Sequence, residues 1–123
     1  MGQAALALTD HGNMYAAIEF YQECQKAEIK PIIGVEAYVA TRTRFDKEPN
    51  LDNRRYHLTL LAKNLIGYRN LIKLVTASYL EGYYYKPRID KELMRAHSDG
   101  LVCLSGCPGG ELSKTLWNKD YAA

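Results

Sequence analysis

His11, Glu36, His57 and Cys107 are the residues best suited to chemistry, and Asp10 stands beside the first of them. Imidazole, carboxylate and thiolate together form a ligand set that suits zinc, manganese or iron. All four stand on or just past apolar runs that read as strands. In parallel α/β folds functional side chains gather at the C-terminal ends of strands. His11 lies in Thr9-Asp10-His11-Gly12-Asn13, the turn that ends the run Ala4-Ala5-Leu6-Ala7-Leu8. A ring there either reaches a site or caps a backbone group. Glu36 interrupts the run Ile32-Ile33-Gly34-Val35-Glu36-Ala37-Tyr38-Val39. Alternation places Pro31, Ile33, Val35, Ala37 and Val39 on one face and Lys30, Ile32, Gly34, Glu36 and Tyr38 on the other. That second face is also mostly apolar, so a carboxylate there calls for a cation, whether a metal or a basic side chain. His57, in Tyr56-His57-Leu58-Thr59-Leu60-Leu61-Ala62, reads by its own context as a satisfied strand histidine. Cys107 lies beyond a strand in a Gly/Pro turn.

The remaining candidates carry weaker signals. Cys24 and Cys103 occupy apolar positions and read as core packing, and His97 reads as surface. In the segment Gly82-Tyr83-Tyr84-Tyr85-Lys86-Pro87-Arg88, Lys86 and Arg88 are candidates for contact with phosphate or DNA, against a solvated loop as the common case. The three tyrosines could stack on bases, although packing of the loop onto the domain is the plainer reading.

The elements that position these residues follow from apolar periodicity. A buried strand is predicted over 4–8, then a helix over 14–27 with Asn13 as N-cap and Met14, Ile18 and Tyr21 on its apolar stripe. A second strand over 32–39 completes a strand–helix–strand unit, the building block of parallel α/β folds. Residues 41–54 are polar and read as an exposed loop, long enough to suggest an insertion or a flexible arm. A third strand is predicted over 56–62 and a helix over 64–80 with Leu65, Tyr68, Ile72, Val75 and Tyr79 on one stripe. Asp90 should cap a short helix reaching His97; a strand over 101–104 and a helix from Glu111 onward follow. Four strands with interleaved helices make about half of a βα barrel, and both ends of the chain look cut.

Bulk properties narrow the class. The chain has 123 residues, 47% of them hydrophobic and 24% charged, a soluble globular composition of one-domain size. A net charge of +2 is too mild for the basic footprint of a nucleic-acid surface. The three cysteines are odd in number and unevenly spaced, which points to a reduced setting and a cytoplasmic location. Neither a signal peptide nor an apolar run of membrane-spanning length is evident.

The ordered motifs resemble a known family. Ala5-Leu6-Ala7-Leu8-Thr9-Asp10-His11-Gly12-Asn13-Met14 is similar to the second metal-binding motif of PHP domains. The following stretches resemble the PHP domain of bacterial replicative DNA polymerase III alpha subunits: Glu19-Phe20-Tyr21, the run from Ile29 to Val39, His57 to Asn64, Gly67 to Leu71, Tyr85-Lys86-Pro87-Arg88-Ile89-Asp90 and Leu104-Ser105-Gly106-Cys107. The resemblance covers nearly the whole chain, residues 41–54 least.

It implies an α/β fold, a partial, distorted TIM-like (β/α)7 barrel with a multinuclear metal site. Residues 1–123 would be the central part of one domain, with the family's His-x-His strand before residue 1 and its Asp-x-His motif after residue 123. His11, Glu36, His57 and Cys107 match ligand positions of metal-competent members, and Asp10 matches an acidic residue that orients a ligand imidazole. The implied cofactors are divalent ions: zinc, manganese or iron here, and magnesium for a polymerase centre elsewhere in the parent. The parent would extend DNA from deoxynucleoside triphosphates, with a sliding clamp and a proofreading exonuclease as partners. The PHP domain would help hold the polymerase together and, in some members, act as a metal-dependent 3'-5' exonuclease. The excised piece alone should not polymerise DNA and should bind metal weakly if at all. Two alternatives are a free-standing, histidinol-phosphatase-like phosphoesterase and a vestigial domain that docks a proofreading subunit.

Overall fold

The computed structural model describes residues 2–106 and 108–118. The chain runs β1 (Ala5–Leu8), α1 (Ala17–Lys26), β2 (Lys30–Ala40), β3 (Arg55–Ala62), α2 (Leu65–Leu80), β4 (Arg88–Ile89), α3 (Lys91–Ala96), β5 (Leu101–Leu104) and α4 (Glu111–Trp117). The fold is α/β. The sheet order is β1-β2-β3-β5, with β4 also paired to β2.

β1 and β2 are parallel, joined through α1 as the strand–helix–strand pattern predicts, with Leu8 opposite Ile33. The sheet is otherwise mixed. β3 runs antiparallel to β2, and β5 antiparallel to β3. The reason is the connection: residues 41–54 form no crossover helix, so the chain turns back on itself. Among the described residues the sheet is open and closes no barrel. β1, predicted to be buried, is mostly exposed, because at the sheet edge it has only β2 for a strand neighbour.

β2 is the spine. Its Val35, Ala37 and Val39 join Leu60 of β3, Leu71 and Leu74 of α2 and Ile89 of β4 in one core cluster. This is the face that alternation assigns to Val35, Ala37 and Val39, and it leaves Glu36 and Tyr38 on the opposite side.

Both long helices are rotated from their predicted stripes. α2 buries Gly67, Asn70, Leu71, Leu74 and Ser78; of the predicted stripe, Val75 packs against the core and Tyr68 is half-buried, while Leu65, Ile72 and Tyr79 are exposed. Close approach decides this. A Cβ on Gly67 would stand 1.9 Å from the Gly100 carbonyl oxygen, and Asn70 Nδ2 donates to the Asp99 carbonyl at 2.9 Å. Small and hydrogen-bonded residues therefore face inward where a hydrophobicity count places them outside. α1 likewise buries Ala17 and Cys24 and exposes Ile18 and Tyr21. It starts three residues later than predicted, at Ala17. Asn13 is not its N-cap: its side chain accepts from the Tyr15 N–H at 3.1 Å in a local turn. The Asp90 cap is as expected, accepting from the Leu93 N–H at 2.9 Å.

Segment 41–54 is anchored at several points and is not a free arm. Arg42 donates to Asp52 Oδ1 at 2.9 Å and to Glu48 Oε2 at 2.9 Å. Arg44 pairs with Asp90 at 3.1 Å and with Glu81 at 2.5 Å. Arg88, with no exposed surface, donates to the carbonyl oxygens of Gly82, Asp52, Arg44 and Asp46.

Candidate metal centre

Strand register brings three of the candidate ligands together. Glu36 is opposite Thr59 on β3, and Tyr38 is opposite His57. Side chains directly opposite one another share a face, so Glu36 and His57 are diagonal neighbours on one side of the sheet, within reach of long side chains. On the other edge of β2 the chain after β1 keeps the same register, with His11 bridged to Glu36. The Glu36 N–H donates to the Asp10 carbonyl at 3.0 Å and the Gly12 N–H to the Glu36 carbonyl at 2.9 Å. His11 and His57 thus approach Glu36 from opposite flanks.

The carboxylate lies between the two rings. His57 Nδ1 is 2.5 Å from Glu36 Oε1, and His11 Nε2 is 3.2 Å from Glu36 Oε2. His11 is the outermost, its side chain 66% exposed against 34% for His57 and 25% for Glu36. His57 Nδ1 faces the carboxylate, so Nε2 is the ring nitrogen directed away from Glu36, an arrangement that suits a metal ligand oriented by a carboxylate. An open cleft of about 290 Å³ adjoins this corner, lined by Glu36, His57, Thr59, Leu104, Ser105 and Gly106.

Two glycines shape the corner. Gly12 has φ +68°, and a Cβ there would stand 2.9 Å from Pro87 Cγ and 3.0 Å from the Tyr38 ring. Gly106 has φ +80°, and a Cβ there would stand 2.6 Å from the His57 carbonyl oxygen. The chain entering the Gly/Pro turn therefore passes directly over the backbone of His57. Cys107 itself lies outside the described residues.

The other candidates divide. Asp10 makes no side-chain hydrogen bond to either imidazole among the described residues; its carbonyl serves the Glu36 N–H, and the carboxylate that meets both rings is Glu36. Arg88 offers nothing to a phosphate: it is fully buried, with its donors taken by backbone carbonyls. Lys86 is exposed, 5.8 Å from the centre of the Tyr38 ring. Cys24 is buried as expected, but Cys103 is exposed because β5 is an edge strand. Tyr83 and Tyr85 are exposed, contrary to the packed loop the plainer reading favoured. Tyr38 escaped the sequence reading: its ring lies edge-on to His57, with centroids 5.1 Å apart. Its place two residues after Glu36 on the same strand face was the available signal.

The donor set fits a divalent cation in its chemistry. Each imidazole stands within reach of the Glu36 carboxylate, at 2.5 Å and 3.2 Å, with the two ring centroids 6.4 Å apart. Their donor atoms are directed at each other, and among the described residues no three such groups surround a common point.

Comparison with known proteins agrees with the motifs. The family model of the PHP domain matches residues 1–123. The chain is 54% identical over 112 residues to the DNA polymerase III subunit alpha of Borreliella burgdorferi, covering 90% of this chain and 10% of that protein. It is 54% identical over 114 residues to the same subunit of Thermus aquaticus, covering 91% of this chain and 9% of the relative. For Treponema pallidum the identity is 55% over 117 residues, covering 94% and 10%. The chain thus spans about a tenth of the length of these relatives. With the family model matched from end to end and the His11, Glu36 and His57 motifs brought to one corner of the sheet, the chain belongs to the PHP domain family.

Proposed function

We propose that this chain is the PHP region of a bacterial DNA polymerase III alpha subunit, and that His11, Glu36, His57 and Cys107 hold divalent metal there for phosphoester chemistry. The observation that carries the reading is the Glu36 carboxylate flanked by both imidazoles, at 2.5 Å and 3.2 Å. Relatives about ten times the length of this chain favour a replicase parent over a free-standing phosphatase. In that parent the open sheet is the central part of a (β/α)7 barrel, and the surrounding protein carries out template-directed DNA synthesis with deoxynucleoside triphosphates. DNA, a sliding clamp and a proofreading exonuclease are its partners, and the setting is the cytoplasm. Among the described residues no helix is long and apolar enough to cross a membrane.

Each residue has a defined task. His57 is held by its Nδ1 contact to Glu36, which presents Nε2 outward. Glu36 supplies the negative charge that balances a cation. His11, the most exposed of the three, meets Glu36 from the other flank of β2. The cleft beside Glu36 and His57 admits a phosphoryl group next to these donors. Bound here, zinc, manganese or iron supplies Lewis acidity toward phosphoryl oxygens and lowers the pKa of a water. The polymerase centre of the parent uses magnesium elsewhere.

A second reading has its own support. Glu36 is already satisfied by the two rings without a cation, as befits a vestigial site on a domain that docks a proofreading subunit. Elemental analysis of the intact parent separates the two. His57→Ala should lower the bound metal; unchanged metal content favours the docking role.

A further inference from the structure

Tyr38 gathers two cations beside the candidate metal centre. It is 7% exposed, and its ring meets His57 edge-on. The guanidinium carbon of Arg55 lies 5.5 Å from the ring centre, and Lys86 Nζ lies 5.8 Å from it. The sheet explains the meeting. Arg55 stands two residues before His57 on β3, so the two share a face. Lys86 comes from the opposite edge of β2, two residues before Arg88, which is registered with Tyr38. Cations from two different strand neighbours therefore converge on a ring that touches a candidate ligand.

Neither cation meets a carboxylate within ion-pair distance among the described residues. Lys26, Arg42, Arg44 and Lys91 all pair with carboxylates. Arg55 and Lys86 form no ion pair among the described residues. Arg55 Nη1 donates to the Asn53 carbonyl at 3.0 Å, but its Nε is a buried donor with no hydrogen-bond partner among the described residues. A buried N–H left unpaired is costly, and the attraction of a cation to an aromatic face only partly offsets it. Two cations without a carboxylate partner among the described residues, gathered on a ring that meets the candidate ligand His57, make a site for an anion.

We propose that Arg55 and Lys86 bind the phosphate oxygens of the substrate that reaches the His11–Glu36–His57 corner, with Tyr38 as the platform that positions both. This rests on the phosphoester reading above. It assigns phosphate recognition to Arg55 and Lys86 and removes it from Arg88, whose guanidinium is spent on the fold. The shared ligand chemistry is a phosphate oxygen, carried by a phosphomonoester or by a phosphodiester strand.

The test is calorimetric titration of the metal-free protein at fixed ionic strength, with inorganic phosphate in one arm and a short oligothymidylate in the other. Lys86→Gln and Arg55→Gln should each weaken binding about tenfold, the scale of one lost charge-assisted hydrogen bond. Lys73→Gln, on the exposed side of α2, should leave it unchanged. Tighter binding of the oligonucleotide identifies a diester strand, and tighter binding of phosphate a monoester. The proposal is overturned if wild-type protein binds neither probe, or if both substitutions leave affinity intact in variants whose circular dichroism matches wild type. Metal content of wild-type protein isolated with its metal is measured separately. Normal metal with substitution-insensitive phosphate binding overturns this assignment alone, whereas absence of metal overturns the reading beneath it.

Discussion

Arg88 Nη1 donates to the carbonyl oxygen of Asp52 at 3.0 Å, and the arginine side chain has no exposed surface. The same guanidinium bonds the carbonyls of Gly82, Arg44 and Asp46. One buried cation thus ties both halves of segment 41–54 to β4. β4 lies on the edge of β2 just past the His11 bridge. Pro87, immediately before it, comes close to Gly12. The anchoring of a surface segment is therefore mechanically joined to the turn that carries a candidate ligand.

Replacing Arg88 by Met should destabilise the protein by about 3 kcal/mol or more, because several buried carbonyls lose a charged donor at once. Lysine should not rescue it, since one ammonium cannot reproduce the planar fork that spans these acceptors. Urea denaturation of the two variants checks both statements. Limited proteolysis should find segment 41–54 cut faster in each. An Arg88→Lys protein of wild-type stability would show that the fork geometry is unimportant.

Asp52 makes stability depend on acid. Its carboxylate is nearly fully buried, and hydrogen bonds from Arg42 hold its pKa down to about 2. A carboxylate whose folded pKa lies below its unfolded value, about 3.9, stabilises the fold fully above the unfolded value. That contribution is lost as pH falls toward and through the folded pKa, here from about pH 4 to about pH 2. The urea midpoint of wild type should fall across this window. In Asp52→Asn the midpoint should be lower at neutral pH and vary less with acid. An equal pH slope in both proteins would assign the acid sensitivity to other carboxylates.

Much of this architecture was legible because period-two and period-3.6 patterns are strong in this chain. The strand ends of β2, β3 and β5 fall within two residues of expectation, and the β2 alternation correctly separated Glu36 from Val35, Ala37 and Val39. The convergence of His11, Glu36 and His57 was implied by the family motifs; strand context alone left His57 an ordinary strand histidine. Four features escaped. Helix faces were misjudged because close backbone approach at Gly67 outweighs hydrophobicity. The antiparallel return of β3 depends on a polar segment whose order comes from Arg88, a residue 36 positions from Asp52. Arg88 read as a surface cation because no local pattern shows four distant carbonyls converging on it. The ion pairs of Arg42 and Arg44 were hidden in the same way, since they are set by tertiary placement.

Gly12 joins the fold to the site, and its replacement by Ala should damage both. Its φ of +68° is a left-handed conformation in which a side chain costs about 1 kcal/mol. A Cβ would also press on Pro87 Cγ at 2.9 Å and on the Tyr38 ring at 3.0 Å, and such crowding adds about 1–3 kcal/mol. Gly2 provides the control: its φ is +62°, but a Cβ there meets nothing within 4 Å. Gly2→Ala should therefore show at most the conformational cost, and Gly12→Ala clearly more, by urea denaturation. The strain in Gly12→Ala falls next to His11 and on the ring that contacts His57, so bound metal in the intact protein should also fall. Equal stability losses in the two variants would mean that the Pro87 and Tyr38 contacts yield freely. The turn would then be held by the two backbone hydrogen bonds between residues 10–12 and Glu36 alone.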